Sequence, residues 1–104
     1  MAFVTTEVKG AVEVITIDRP QALNALNPEV LADLKAAFEG VDLKAIRCIV
    51  LTGSGEKSFV AGADIGAMST MTKAEGEAFS KLGNDLFLKI ESFPIPVIAA
   101  VNGF

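Results

Sequence analysis

Alternating apolar and polar residues mark the first two extended segments of the chain. Residues 3–8 and 11–17 predict two strands joined at Lys9-Gly10, where glycine supplies the turn. Apolar side chains fall on both faces of the second strand, with Val12 and Val14 on one face and Ile15 and Ile17 on the other. Apolar residues on both faces predict a strand that is covered on both sides.

A helical period follows the loop at residues 21–26. Asn27 is a suitable N-cap, and Pro28 stands at the first helical position, where its missing N–H has no cost. The apolar positions then recur on a single stripe, formed by Val30, Leu31, Leu34, Ala37 and Phe38. Gly40 is the natural end of this helix.

Two later apolar segments, residues 47–52 and 97–101, predict buried strands. Between them the pattern predicts a short helix at residues 64–68 and a longer helix opened by the capping box of Thr72 and Glu75. The longer helix carries one apolar stripe, formed by Phe79, Leu82, Leu86 and Ile90. The order strand, helix, strand predicts an α/β architecture.

Composition narrows the class of protein. The chain has 104 residues, of which 51% are hydrophobic and 21% charged, and this favours one small, ordered domain. The net charge is −4 and no basic stripe is present, so nucleic-acid binding is not expected. The chain has no histidine, which excludes a Ser-His or Cys-His dyad and a His-ligated metal within these residues, and we expect no metal.

Targeting signals are not apparent in the sequence. The first residues lack the basic and apolar regions of a signal peptide, and no run approaches the roughly 18 apolar residues that span a bilayer. We therefore expect a cytoplasmic protein that does not enter membranes.

Two loops, residues 53–58 and the segment around Ala63, have compositions that could suit the binding of an anion. Residues 53–58 end in Lys-Ser like a phosphate-binding loop, but Glu56 occupies the position of the required glycine, so a strand-exit turn is favoured. The small residues around Ala63 precede a predicted helix start, where unpaired backbone N–H groups can stabilise a developing oxyanion. A tight turn capped by Asp64, with no ligand, explains the same residues equally well.

Three segments, residues 17–26, 59–65 and 96–104, resemble the crotonase superfamily, also called the enoyl-CoA hydratase/isomerase family. The resemblance is greatest to its short-chain enoyl-CoA hydratases and extends over almost the whole chain. It implies that residues 1–104 are the N-terminal portion of a single crotonase-type spiral domain. Such a domain is an α/β fold of repeated β-β-α turns, and the resemblance implies that it is truncated here before the end of the core. It also implies a parent enzyme that assembles as a trimer or hexamer.

The resemblance also implies a binding site for an acyl-CoA thioester. Two backbone N–H groups of the family hold the thioester oxygen, and Ala63 corresponds to the first of these oxyanion donors. The residues implied in substrate binding are Gln21, Ala22, Leu23, Ala61, Ala63, Asp64, Ile65 and Gly66. Many members carry lysine at the position of Gly66, which leaves a charged contact to CoA from there unassigned. Coenzyme A is part of the substrate, so no separate cofactor is expected.

The reaction implied for the parent enzyme is hydration of trans-2-enoyl-CoA to 3-hydroxyacyl-CoA through an enolate. In the family the second donor and the two catalytic glutamates follow the segment that ends at Phe104, and no glutamate of this chain matches them. Isomerisation, thioester hydrolysis and decarboxylation use the same oxyanion hole and stay open as alternatives. A non-catalytic piece that only folds and self-associates is the alternative from another class of protein, and we expect the isolated chain to be inactive.

Overall fold

The computed structural model describes residues 2–22, 24–55 and 70–101, which form a four-stranded sheet with helices packed against it. The strands, in their spatial order, are β1 (Val4–Lys9), β2 (Val12–Ile17), β3 (Cys48–Gly53) and β4 (Val97–Ala100). β1 and β2 are antiparallel, whereas β2 and β3, and β3 and β4, are parallel. The helices are α1 (Pro28–Glu39) and α2 (Lys73–Glu91), and a short 3-10 helix spans Pro20–Ala22. The predicted α/β architecture is confirmed.

The hairpin between β1 and β2 forms where the sequence predicts it. Lys9 pairs with Val12, so Gly10 and Ala11 make the connection. Gly10 has φ +64°, a conformation that glycine adopts without steric cost. The hairpin holds β1 at one outer edge of the sheet.

Helix α1 begins and ends at its predicted residues. The side chain of Asn27 accepts a hydrogen bond of 2.8 Å from the backbone N–H of Val30, and Pro28 is the first helical residue. Gly40 caps the other end, where its N–H donates to the carbonyl of Ala36 at 3.0 Å. The predicted apolar stripe of α1 is buried in full. Local capping and periodicity therefore agree with the packing of this helix.

Helix α2 also follows its sequence signals. Both hydrogen bonds of the predicted capping box between Thr72 and Glu75 are present, each 3.1 Å long. The bond that the Thr72 N–H donates to the Glu75 carboxylate, and after it a hydrogen bond from the Thr72 side chain, hold the pKa of the Glu75 carboxyl below its usual range, because both favour the charged form. On the predicted stripe of this helix, Phe79 and Leu86 are buried. The predicted helix at residues 64–68 lies outside the described residues.

The core lies between one face of the sheet and the helices. Ile15 and Ile17 of β2 and Ile49 of β3 are at most 1% exposed. The buried stripe of α1 and the buried side chains of α2 belong to the same cluster. Burial of one such side chain stabilises the fold by about 1.5–3 kcal/mol, so this layer dominates the stability of the chain.

The opposite face of the sheet is less covered than the sequence predicts. Val14 and Val50 are half-buried, and Ile98 is 54% exposed. The prediction of cover on both sides of β2 therefore holds fully for one face only. The prediction that residues 97–101 form a buried strand is wrong, because most of β4 is exposed. β4 is an outer strand, and on the other face of the sheet α1 packs against β1 and β2 while α2 packs on α1.

One carboxyl group shares the buried face with these apolar residues. Glu13 pairs with Val8 on one side and Ile49 on the other and is 7% exposed. Burial raises the pKa of Glu13, since removal from water disfavours the charged form. Protonated Glu13 is therefore favoured by folding, and its contribution to stability is lost as the pH rises through the pKa of the folded state.

Candidate functional site

The candidate site lies at the edge of the sheet where β2 and β3 end. These strands are parallel, and Ile17 at the end of β2 pairs with Gly53 at the end of β3. The backbone N–H of Ser54 continues the pairing with a 2.8 Å hydrogen bond to the carbonyl of Ile17. Ligands of open α/β sheets bind outside the carboxyl ends of the strands, so the two loops that leave this edge are the place to look for a site.

The loop after β2 presents two of the predicted site residues. Gln21 and Ala22 lie in the 3-10 helix Pro20–Ala22, where Gln21 is exposed and Ala22 is half-buried. The structure therefore brings both to the carboxyl edge of the sheet. The other predicted site residues lie outside the described residues, and they are Leu23, Ala61, Ala63, Asp64, Ile65 and Gly66.

Arg19 ties together the beginning and the end of this loop. Its guanidinium Nη1 donates a 3.0 Å hydrogen bond to the carbonyl of Ala25, and its Cζ lies 5.6 Å from the ring centroid of Phe3. Phe3 is itself fixed, because its carbonyl accepts a 2.7 Å hydrogen bond from the N–H of Asp18. A cation over an aromatic face is an attractive contact. The side chain of Arg19 therefore has a structural function at the start of the loop.

Asn24 is the residue of this loop that sequence reasoning missed. It is fully buried and has φ +59°. Its Oδ1 accepts a 2.8 Å hydrogen bond from the N–H of Arg19, and its Nδ2 donates a 3.1 Å bond to the carbonyl of Ser54. One signal could have identified it, because asparagine tolerates the left-handed conformation better than other non-glycine residues and this loop contains no glycine.

A separate cleft lies between the two long helices. Its volume is about 250 Å³, and Leu26, Leu31, Phe79 and Phe87 provide most of its apolar lining. Ser80 and Asn84 are the polar side chains of the lining, which includes no charged group among the described residues. Such a lining suits an apolar group better than a phosphate, so the cleft has a different chemistry from the loops at the sheet edge.

The part of the chain that the structure describes carries neither a cluster of metal ligands nor a membrane-spanning helix. In residues 2–22, 24–55 and 70–101, no three His, Cys, Asp or Glu side chains are grouped so that they could hold a metal ion. In the same ranges no helix is both long and apolar enough to cross a bilayer.

Comparison with known sequences identifies relatives along almost the whole chain. The family described as enoyl-CoA hydratase/isomerase matches residues 7–104. The chain is 48% identical to the short-chain-enoyl-CoA hydratase of Clostridium acetobutylicum, over 97% of this chain and 39% of that protein. It is 49% identical to the crotonyl-CoA hydratase of Syntrophomonas wolfei, over 88% of this chain and 35% of that protein. The chain thus spans well under half the length of these relatives.

Solved structures with the same fold include two enoyl-CoA hydratases. The enzyme from Bacillus anthracis matches 97% of this chain and 40% of its own with a TM-score of 0.93, at 28% sequence identity. The enzyme from Thermoplasma volcanium matches 97% of this chain and 40% of its own with a TM-score of 0.89, at 38% identity. The crotonase-type fold predicted from the sequence is confirmed over the matched part. The chain belongs to the enoyl-CoA hydratase/isomerase family.

Proposed function

We propose that this chain binds an acyl-CoA thioester and provides part of the site at which a trans-2-enoyl-CoA is hydrated to a 3-hydroxyacyl-CoA. The observation that carries the proposal is the 48% identity, over 97% of this chain, to a protein named as a short-chain-enoyl-CoA hydratase. The similar identity to a crotonyl-CoA hydratase favours the same reaction and a short acyl group.

The proposed chemistry uses a backbone donor. The oxygen of water adds to the β-carbon of the enoyl group, and the electrons of the double bond move onto the thioester oxygen. The N–H of Ala63 donates to this developing enolate. Water gives up one proton as its oxygen bonds to the β-carbon, the electrons then return from the thioester oxygen, and the α-carbon takes up a proton. A preorganised donor of this kind stabilises the charge that appears in the transition state. The small side chain of Ala63 leaves room for the thioester.

The proposed contacts to the substrate divide into two groups. Gln21, Ala22 and Leu23 meet the nucleotide and pantetheine parts of CoA, and Ala61, Asp64, Ile65 and Gly66 line the segment around the oxyanion donor. The exposed position of Gln21 at the carboxyl edge of the sheet supports the first group, because a ligand can reach it from solvent. Coenzyme A enters as part of the substrate, so the proposal includes no separate cofactor.

Binding of acetoacetyl-CoA tests the proposal without requiring turnover. Isothermal titration calorimetry of the 104-residue chain is expected to detect saturable binding. Gln21→Glu is expected to weaken the affinity roughly fivefold, since two like charges about 4 Å apart in water interact by about 1 kcal/mol. Asn27→Asp makes the same amide-to-carboxylate change at the N-cap of α1, where aspartate is an equally suitable cap, and is expected to leave the affinity unchanged. Absence of binding by the unmodified chain would refute the proposed function.

Other reactions of the family are the alternative, namely double-bond isomerisation, thioester hydrolysis and decarboxylation. Each of them would use the same donor at Ala63, so acetoacetyl-CoA binding is common to all. The relatives from C. acetobutylicum and S. wolfei are both named as hydratases, which favours hydration. The cytoplasmic location and the absence of nucleic-acid and membrane partners stay predictions.

We also propose that the chain forms homo-oligomers, a trimer or hexamer in the parent enzyme. Ile98 is 54% exposed on the outer strand β4, and Val101 directly after it is 64% exposed. Open sheet edges that carry exposed apolar side chains tend to associate. Sedimentation velocity is expected to show species larger than the 10.9 kDa chain. A single monomeric boundary at all concentrations would contradict this proposal.

A further inference from the structure

Asn24 has a conformation and an environment that both carry a cost. Its φ of +59° lies in the left-handed region, and its side chain is 0% exposed. A buried amide destabilises the fold unless its donors and acceptors are paired. The surroundings of Asn24 must therefore supply hydrogen-bond partners that offset both the left-handed conformation and the burial of the amide.

Asn24 bonds to residues of two different loops. On the loop after β2, its Oδ1 accepts from the N–H of Arg19, and its own N–H donates to the carbonyl of Arg19 at 2.9 Å. On the loop after β3, its Nδ2 donates to the carbonyl of Ser54, which is thirty positions away in sequence. The first pair of bonds closes the turn that contains Gln21 and Ala22. The bond to Ser54 fixes that turn against the neighbouring loop.

A close approach of the two loops accompanies this bond. A Cβ atom added to Gly55 would lie 3.9 Å from the Cβ of Pro20, and Gly55 itself has φ +79°. The N–H of Ser54 is bound to the carbonyl of Ile17. The turn at Pro20–Ala22 is therefore held from its base by Ile17 and from its side by Asn24.

We propose that Asn24 is a positioning residue, which holds the turn carrying Gln21 and Ala22 in place for CoA by bonding the loops after β2 and β3 together. The inference rests on the proposed function, because it assigns Asn24 to the same acyl-CoA site. Asn24 does not contact the substrate and acts through Gln21 and Ala22. Preorganisation of a binding loop raises affinity because less conformational entropy is lost when the ligand binds.

Asn24→Gly is the most direct test, because glycine accepts the left-handed conformation while the side-chain bonds to Arg19 and Ser54 are removed. The affinity for acetoacetyl-CoA is expected to fall about tenfold, by analogy with the loss of a hydrogen bond to a buried group. Asn27→Gly is the matched control at the N-cap of α1, where glycine is tolerated. It is expected to leave the affinity unchanged.

A double-mutant cycle separates positioning from a general structural effect. If Asn24 acts through the turn, the roughly fivefold penalty of Gln21→Glu is expected to shrink to less than about twofold in the Asn24→Gly background, because coupled residues are not additive. If the losses of affinity caused by Asn24→Gly and Gln21→Glu simply multiply in the double variant, the two residues act independently and the inference is overturned. So would an unchanged affinity of Asn24→Gly when the unmodified chain binds.

A second variant covers the case in which Asn24→Gly does not fold. Asn24→Asp keeps the acceptor for the N–H of Arg19 but cannot donate to Ser54 when it is ionised. With circular dichroism confirming a folded chain, it is expected to weaken binding more than Asn27→Asp, which retains the cap. Unfolding of both Asn24 variants would overturn the inference in favour of a purely structural residue. Failure of the unmodified chain to bind at all would instead refute the proposed function.

Discussion

The 104-residue chain produced alone is expected to hydrate crotonyl-CoA at least about 100-fold more slowly than the short-chain-enoyl-CoA hydratase of C. acetobutylicum. Loss of one oxyanion donor typically lowers a rate by about 100- to 1,000-fold. The resemblance implies one donor in these residues, at Ala63, and it assigns the second donor and the two catalytic glutamates to positions that the 104 residues do not contain.

The glutamates that the structure describes support this expectation. All of them lie within β1, β2, α1 or α2, and none lies on the two loops at the carboxyl edge of the sheet. Glu13 is buried on the face that packs against the helices, and Glu75 accepts a hydrogen bond from the N–H of Thr72. Neither carboxyl group is available to position water beside a thioester at that edge.

Loss of the enoyl thioester absorbance measures the reaction directly. The C. acetobutylicum enzyme under the same conditions gives the reference rate, and calorimetry with acetoacetyl-CoA shows whether the assayed chain is competent to bind. Turnover close to that of the reference would contradict the expected inactivity. It would mean that groups within these 104 residues supply the missing acid–base function.

Replacement of Phe38 by alanine is expected to lower the free energy of unfolding by about 3–5 kcal/mol. Phe38 is 1% exposed, and its ring meets that of Phe93 edge to face, with the centroids 5.3 Å apart. The pair joins α1 to the segment that leads from α2 into β4. Alanine would leave a cavity at this junction, and the surrounding side chains can fill it only in part.

Urea denaturation, monitored by circular dichroism, measures this loss of stability. Phe87→Ala is the matched control, because Phe87 lies on α2 and is 50% exposed. It is expected to cost less than about 1 kcal/mol, as is usual for substitutions away from the core. Equal losses for the two variants would show that the contact between Phe38 and Phe93 does not anchor the fold.

The helices were the most predictable part of this protein. Asn27 and Pro28 begin α1, and Thr72 with Glu75 begins α2, at the residues that the capping rules indicate. These signals are local, because a cap satisfies backbone groups within three or four positions in the sequence. The observed strand bounds differ from the predicted ones by no more than one residue. The signals are again local, because turns and apolar runs delimit the strands.

The candidate site was predictable only in part. Gln21 and Ala22 were identified through a family resemblance, and the structure places them at the carboxyl edge of the sheet, after the strand β2 that pairs in parallel with β3. Asn24 was missed because its side chain bonds the carbonyl of Ser54, thirty residues later, which no local pattern connects to it. The exposure of β4 was missed because the apolar pattern of a segment does not show whether its strand lies inside the sheet or at its edge.

The sequence by itself determined the order of strands and helices, the helix ends, the apolar stripes and the family. Each of these depends on residues that are close in sequence or that form a recognisable motif. The tertiary structure alone decided which face of the sheet is covered, how Glu13 comes to be buried, and how Asn24 joins two loops. These features arise where β2 and β3 pair in parallel, which brings together residues that are separated by a whole crossover. Contacts of that kind depend on the packing of the helices against the sheet, and no single segment encodes them.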